Sequence, residues 1–276
     1  MNLGEVLAAT TEYLTRKGIE TPRLDAELLL SKAFELSRLE LYTSFDRPLT
    51  DAERATARAL VERRGRREPL AYVLGEWGFR KLTLATDARA LIPRPETEIV
   101  VDRALAAIAG REAPQIVDVG TGTGAIALSI AAEHPGAVVT ATDLSPEALT
   151  LARENAERLG LAIELVETDL LDGVSGPFDL VVSNPPYVDA HELHELEPEV
   201  RDFEPRLALV GTGHTERLAA AALEVLRPGG AFVLECHAHH AGEVAALLSD
   251  LDYEAVTISS DLAGRERVVE GRAPSV

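Results

Sequence analysis

The feature that most constrains this chain is an alternation of short apolar strands with helices that begins at Gln115 and runs to the end. Strands are predicted at 116–119, 137–141, 163–166, 178–182, 231–235, 255–258 and 267–270. Helices are predicted between them at 125–133, 146–159, 215–226 and 243–251, with Ser145 capping the second of these and Pro146 at its first position. Strands that alternate with helices are joined by crossovers, and crossovers build parallel sheets covered on both faces. The expected fold is therefore α/β, a doubly wound, mainly parallel seven-stranded sheet. At 276 residues and 46% apolar, the chain has length for one large or two ordinary domains.

Upstream the periodicity is helical. Val6, Leu7, Tyr13 and Leu14 recur on one face, Pro22 breaks before a second run at 24–34, and Thr50 with Asp51 and Glu53 opens a helix that lasts to about Arg64. This predicts a small α-helical bundle over 1–74. Arg63, Arg64, Arg66 and Arg67 cluster at its end; they suit either a patch for an acidic partner or a solvated helix end favoured by the macrodipole, and the second is preferred. Over 75–92, Trp77, Phe79, Leu82 and Leu84 between glycines suggest a β-hairpin linker, leaving 93–276 as the second domain.

Two stretches of that second domain carry chemistry. Asp118-Val119-Gly120-Thr121-Gly122-Thr123-Gly124 lies between a strand and a helix, where glycines admit close backbone approach and the helix start offers free N–H groups. Asp143, ending the next strand, is placed for the two hydroxyls of a ribose, and Asp169, ending the third, for an adenine edge. Gly120, Gly122 and Ala125 also satisfy the dinucleotide pattern of a nicotinamide dehydrogenase. Against that reading, Asp118 suits a cationic amino-acid ligand and would sit poorly beside a pyrophosphate. The second stretch is Asn184-Pro185-Pro186-Tyr187, which follows the strand at 178–182. Two prolines force the backbone out of the sheet at a strand's carboxyl end, where open α/β sheets bind ligands. The Asn184 amide oxygen and the Pro185 carbonyl can accept hydrogen bonds from one –NH2 group, while Tyr187 lies against the planar group that carries it. A dehydrogenase has no use for such a clamp.

Charge narrows the partner. The net charge is −19, yet residues 1–75 hold 12 Lys+Arg against 12 Asp+Glu, so the acidity lies entirely beyond them. So acidic a body repels phosphate backbones, which disfavours a nucleic-acid substrate. No apolar run reaches membrane-spanning length, the first residues show no signal segment, and Cys236 stands alone, so a reducing, cytoplasmic location is expected. His191 and His194 are three apart where a helical zinc motif needs four. His237, His239 and His240 beside Cys236 lack a second ligand cluster, so no metal is expected, and Cys236 reads as a core residue.

Taken together, Ile92-Pro93-Arg94-Pro95-Glu96-Thr97-Glu98, the Asp118 to Gly124 loop, Asp143, Asn184-Pro185-Pro186-Tyr187, Glu204-Pro205 with Ala208-Leu209, and Gly264-Arg265-Glu266-Arg267-Val268-Val269 resemble the HemK-type release factor glutamine methyltransferases. These sit within the Rossmann-like class I S-adenosylmethionine-dependent methyltransferases, and the resemblance covers nearly the whole chain. It implies S-adenosyl-L-methionine as cofactor, held by Asp118, Gly120, Thr121, Gly122, Thr123, Gly124, Asp143, Leu144, Asp169, Leu170 and Asn184. It implies catalysis by Asn184, Pro185, Pro186 and Tyr187, with Arg94, Glu96 and Glu98 bordering the substrate beside Asn184 and Tyr187. The implied substrate is the glutamine of the Gly-Gly-Gln motif in bacterial class I peptide chain release factors, methylated on its side-chain nitrogen by a monomeric enzyme. Asn-Pro-Pro-Tyr alone is shared with N6-adenine methyltransferases acting on DNA or RNA, which is the alternative. A non-catalytic cofactor-binding module would not need both stretches intact. One departure stands: where the family carries Glu-Ile-Gly, this chain reads Glu235-Cys236-His237.

Overall fold

The computed structural model describes residues 1–211 and 213–275. The chain forms two compact units: Met1–Glu76 with Leu196–Phe203, and Trp77–Glu195 with Glu204 onward. Nothing in the sequence pattern marks the excursion at Leu196–Phe203.

The first unit is helical. It contains α1 (Leu3–Arg16), α2 (Pro22–Phe34), α3 (Arg38–Thr43), α4 (Asp51–Gly65) and α5 (Leu70–Leu74), of which α3 and α5 are too short for periodicity to reveal. Asn2 with Glu5, Ser37 with Glu40 and Thr50 with Glu53 form capping boxes that satisfy free N–H groups at three helix starts. Leu3, Leu7, Leu14, Leu29, Leu30 and Leu41 are fully buried at the centre. The arginine cluster is only in part a solvated helix end, because Arg66 is exposed while its three neighbours are engaged by acids. Arg64 is buried, with Nε on Asp25 (2.7 Å) and Nη1 on Glu199 (2.8 Å), while Arg67 pairs with the other Glu199 oxygen (2.5 Å) and Arg63 with Glu68. Desolvated guanidinium and carboxylate must be paired, and these partners lie 39 and 135 residues from Arg64. Such spacing is invisible to a local reading.

The second unit opens with the hairpin β1 (Glu76–Phe79) and β2 (Leu82–Ala85), then α6 (Thr97–Ala107). The α/β alternation follows as β3 (Gln115–Val119), α7 (Ala125–Glu133), β4 (Val138–Asp143), α8 (Pro146–Leu159), β5 (Glu164–Glu167) and β6 (Phe178–Ser183). The chain returns to the first unit for α9 (Pro198–Phe203) and then continues the second with α10 (His214–Val225), β7 (Leu226–Glu235), α11 (Ala241–Asp250), β8 (Glu254–Ser260) and β9 (Glu266–Arg272). The sheet order is β5-β4-β3-β6-β7-β9-β8, parallel except where β9 runs against both of its neighbours. One difference from the sequence reading is β7, which begins at Leu226 rather than Ala231. Pro228-Gly229-Gly230 is a bulge within the strand, because Phe178 pairs with Leu226 and Leu180 with Ala231. Two apolar clusters form the core, one around Val100, Ile116, Leu180 and Val233, the other around Val117, Val181, Phe232 and Leu234. Alternate residues of the same strands supply the two sets, so both faces are covered. Among the described residues, no helix is long and apolar enough to cross a membrane.

One buried polar side chain joins three parts of this unit. Asn155 of α8 accepts from the Ala85 N–H (2.7 Å) and donates to the Ala85 (3.2 Å) and Thr123 (2.9 Å) carbonyls. It thereby fixes the end of β2 and the glycine-rich loop on one helix. Asn155→Ala orphans these backbone groups and is expected to lower stability by about 1–3 kcal/mol. Urea unfolding should show a lower midpoint at unchanged slope; an unchanged midpoint would mean that water replaces the amide.

Candidate active site

Parallel pairing of β3 with β6 sets Val119 opposite Ser183, so the glycine-rich loop and the Asn-Pro-Pro-Tyr segment leave adjacent strands at the same edge. The Ser183 hydroxyl donates to the Val119 carbonyl (2.7 Å) inside the sheet and ties the two strand ends together. β4 lies on one side of this pair and β7 on the other, which makes it the switch point where such sheets open a crevice. A cavity of about 170 Å³ occupies the place. That is an order of magnitude more than the ~10–15 Å³ one water needs, and enough for part of an organic ligand. Gly120, Thr121, Gly122, Thr123, Asp143, Leu144, Asp169, Leu170, Asn184 and Pro186 line it, with Arg94 and Thr97 at one side and Leu207 and His214 at another.

The loop is built around two carboxylates. Asp143 Oδ2 accepts from the Gly122 N–H (2.9 Å), where Gly122 has a φ of +57°, and Oδ1 accepts from the Ser145 N–H (2.9 Å). Burial raises the Asp143 carboxyl above the usual range, against these donors. Asp118 lies beneath the loop rather than on the cavity wall. It is fully buried, with Oδ2 accepting from the Thr121 hydroxyl (2.6 Å) and the Ala127 N–H (3.1 Å), while Oδ1 has no partner. Desolvation pushes its carboxyl up to about 7. Gly124 does not line the cavity either; its role is packing, since a Cβ there would meet Leu128 Cδ1 at 2.9 Å.

At the β4–β5 end of the cavity, the Thr168 N–H donates to the Asp143 carbonyl (3.0 Å) and the Thr142 hydroxyl to the Leu170 carbonyl (3.0 Å). These bonds hold Leu170 in the left-handed region (φ +52°), a strain of about 1–3 kcal/mol of the sort found at ligand sites. Asp169 lines the cavity, but two residues past the end of β5 rather than on it, and its carboxylate is paired with Arg217 (2.6 Å).

At the other end, Asn184 Nδ2 donates to the Thr97 hydroxyl (3.1 Å), so the donor end of the amide is engaged. Pro185 and Tyr187 flank Asn184 and Pro186 in the chain and are not themselves among the residues that line the cavity. The Tyr187 ring sits 6.1 Å from that of His237, and burial pushes its phenol up to about 12. Beside it lies Glu235, the last residue of β7, 1% exposed and pushed by burial up to about 7. The Thr97 and Tyr187 hydroxyls flank this carboxyl and oppose the rise. His237, His239 and His240 do come together, with ring centroids 5.2 and 5.5 Å apart, yet among the described residues no group of His, Cys, Asp or Glu is arranged to hold a metal ion. Cys236 is buried.

The Ile92 to Glu98 segment is cross-braced to the other scattered stretches. Arg94 pairs with the buried Glu204 (2.5 Å), which also accepts from the Ile92 N–H (3.2 Å). Glu96 pairs with Arg265 (2.8 Å), itself held by Asp261 (2.9 Å). Glu98 accepts from the Arg80 N–H (2.9 Å) at the hairpin turn. Only Arg94 of the three reaches the cavity; Glu96 and Glu98 act as braces. Sequence reasoning gave no role to Thr97, Glu204, Glu235, Asp261 or Arg217. The signal for Glu235 was there, a lone acid ending the apolar strand Ala231–Leu234, but its neighbours were not.

The family described as PrmC N-terminal domain matches residues 5–75, and the one described as Methyltransferase small domain matches residues 99–199. A release factor glutamine methyltransferase of Deinococcus radiodurans is 45% identical over 278 residues, covering 99% of each chain. One of Chlorobaculum tepidum is 45% identical over 259 residues, covering 88% of each. Among solved structures, a methyltransferase from Pyrococcus furiosus matches with a TM-score of 0.52 at 20% identity, over 69% of this chain and 88% of its own. That last likeness is one of fold.

The raised Asp118 carboxyl has a consequence for stability. Its folded pKa lies above the unfolded one, so between about pH 4 and 7 the unfolded state binds fewer protons, and stability falls as pH rises through that window. Asp118→Asn keeps the shape without the buried charge. The variant is expected to gain stability over wild type at pH 8, with the gain shrinking toward pH 5, in paired urea titrations. A gain independent of pH would refute this account of Asp118.

Proposed function

The chain belongs to the release factor glutamine methyltransferase family, and on that premise we propose that it transfers a methyl group from S-adenosylmethionine to the side-chain amide nitrogen of the glutamine in the Gly-Gly-Gln motif of bacterial class I peptide chain release factors. The observation that carries the reading is that Asn184 lines the same cavity as the glycine-rich loop and Asp143. An amide clamp and a nucleoside cradle thus share one space.

The residues present fit the cofactor. Asp143 keeps lone pairs for a ribose diol, Leu144 and Leu170 offer apolar walls for a flat base, and Asp118 braces the loop from beneath through the cavity-lining Thr121. A space for backbone approach also exists at Gly120, where an added Cβ would meet nothing within 4 Å. When bound, S-adenosylmethionine supplies an electrophilic methyl group carried on a sulfonium sulfur.

The chain's own contribution is to hold the acceptor. A glutamine amide nitrogen is a poor nucleophile because its lone pair is delocalised into the carbonyl. In the proposed complex, Asn184 Oδ1 and the Pro185 carbonyl accept its two N–H bonds, which polarises them and aims the lone pair, while Tyr187 holds the amide plane. Positioning of this kind is worth roughly 7–11 kcal/mol as effective molarity. The nitrogen sheds its proton after the methyl arrives, when it is far more acidic, so a strong base is not needed. The Tyr187 phenol, pushed up to about 12, stays protonated and is no such base. Arg94, fixed by Glu204, borders the acceptor side of the cavity. The helical unit at 1–74 is proposed to recognise the surface of the release factor.

The test is methyl transfer from labelled S-adenosylmethionine to a purified release factor, beside its Gly-Gly-Gln→Gly-Gly-Ala variant and duplex DNA. Label is expected on the wild-type factor alone; label on DNA would replace this reading with adenine methylation. Asn184→Ala should lower kcat by about 10²–10³, the scale for removing one preorganised hydrogen-bonding group. Cofactor affinity in that variant should change by less than the turnover does.

A further inference from the structure

The reaction proposed above requires the Asn184 amide to face the substrate with its oxygen, and an amide has two ends of nearly equal shape. Ser183 of β6 pairs with Leu234 of β7, so Asn184 and Glu235 follow at the same level of adjacent strands. Thr97, the first residue of α6, accepts from Asn184 Nδ2 at 3.1 Å and flanks the Glu235 carboxyl.

We propose that Glu235, acting through Thr97, is a positioning residue that sets which face of the Asn184 amide is presented to the substrate. A hydroxyl has one proton and two lone pairs. An ionised carboxylate can only accept, so it takes the Thr97 proton and leaves the hydroxyl a lone pair to receive Nδ2. The relay then runs one way, from amide NH2 to hydroxyl to carboxylate, and Oδ1 is left for the acceptor glutamine. A protonated Glu235 can itself donate to Thr97. The hydroxyl proton is then free to face Asn184, and the amide can turn to present its own N–H bonds to the N–H bonds it should accept.

This assigns work to an otherwise costly group. Glu235 is buried, its Oε2 has no hydrogen-bond partner among the described residues, and the nearby Arg267 pairs with Asp261 instead. The groups facing it are Thr97 and Glu96 from the start of α6, Tyr187 from beyond β6, and Arg267 from β9, with Cys236 next to it on its own strand. Arg267 favours the ionised form and Glu96 opposes it, and burial outweighs both. The carboxyl therefore changes state near neutral pH. This inference depends on the proposed reaction for its meaning but not for its detection.

The chain has only three asparagines, Asn2, Asn155 and Asn184, so their side-chain NH2 groups can be followed by NMR after selective 15N labelling. In wild type the Asn184 NH2 signal is expected to titrate with a midpoint near pH 7, and in Glu235→Gln that step should vanish. In methyl transfer, kcat should fall on the acid side of the same midpoint. Glu235→Gln should remove the fall and lower the plateau by roughly ten- to a hundredfold, with cofactor dissociation constant and KM little changed. Thr97→Val should match that loss, and Thr97→Ser, which keeps the hydroxyl, should restore most of it; melting temperatures show that each variant is folded. The relay is refuted if the Asn184 signal titrates identically in Glu235→Gln, or if Thr97→Ser is as impaired as Thr97→Val. A wild-type protein that labels no release factor would indict the proposed reaction instead, and the NMR titration would still decide the relay.

Discussion

Parallel pairing between β3 and β6 is the interaction on which the site depends. It brings together two stretches more than sixty residues apart, because Val119 and Ser183 are opposite and both strands end at the same edge. The prolines at 185 and 186 then remove the possibility of continuing the strand, and the glycines at 120 and 122 bend the other chain away. The Ser183 hydroxyl, donating to the Val119 carbonyl, holds the two exits in register. A one-residue slip in this pairing would turn Asn184 and Asp118 to opposite faces.

Around that pair the protein buries acids that would be cheaper in water. Asp118 and Glu235 are both pushed up to about 7 by desolvation, and burial raises Glu204 as well, against its Arg94 partner. Each is set behind the cavity wall rather than on it; Asp118 holds Thr121 and Glu204 holds Arg94, both on the wall, and Glu235 lies next to Thr97, which is on it too. The pattern is that of a site whose contacting groups are oriented from behind, by charges that can act strongly because water is excluded. The penalty is a lower stability as pH rises, which the helical unit does not share in the same form. Its buried acids, Asp25 and Glu27, are matched by arginines, and hydrogen bonds from Tyr42, Arg38 and Arg23 carry Glu27 below the usual carboxylate range.

The bracing of the Ile92 to Glu98 segment shows how motifs far apart in sequence come to behave as one. Arg94 reaches Glu204, Glu96 reaches Arg265, Thr97 reaches Asn184, and Glu98 reaches the hairpin turn at Arg80. Four successive contacts from five residues leave the segment little freedom. A segment so constrained can present Arg94 and Thr97 to a ligand without first being ordered by it, which lowers the entropic cost of binding.

Much of this was legible in the order of residues. The α/β alternation, the glycine-rich loop, Asp143 at the end of β4 and the proline-locked exit from β6 are all local patterns, because strand period, helix caps and backbone restrictions act over a few residues. The likeness of the scattered stretches to one enzyme family was legible for the same reason. What was not legible is which side chain answers which. The arginines after α4 read as a solvated end, yet Arg64 is buried on Asp25 and Glu199. Asp169 read as a free base-binding acid, yet Arg217 holds it. Glu96 and Glu98 read as pocket residues, yet they face partners outside the cavity. Glu235, Thr97 and Asn184 stand on three different elements, and nothing in the one-dimensional string sets the distance between them. Local backbone preferences are written residue by residue, whereas the fate of a charge depends on which groups the folded sheet and helices place within about 4 Å of it, and that distance exists only once the chain has closed on itself.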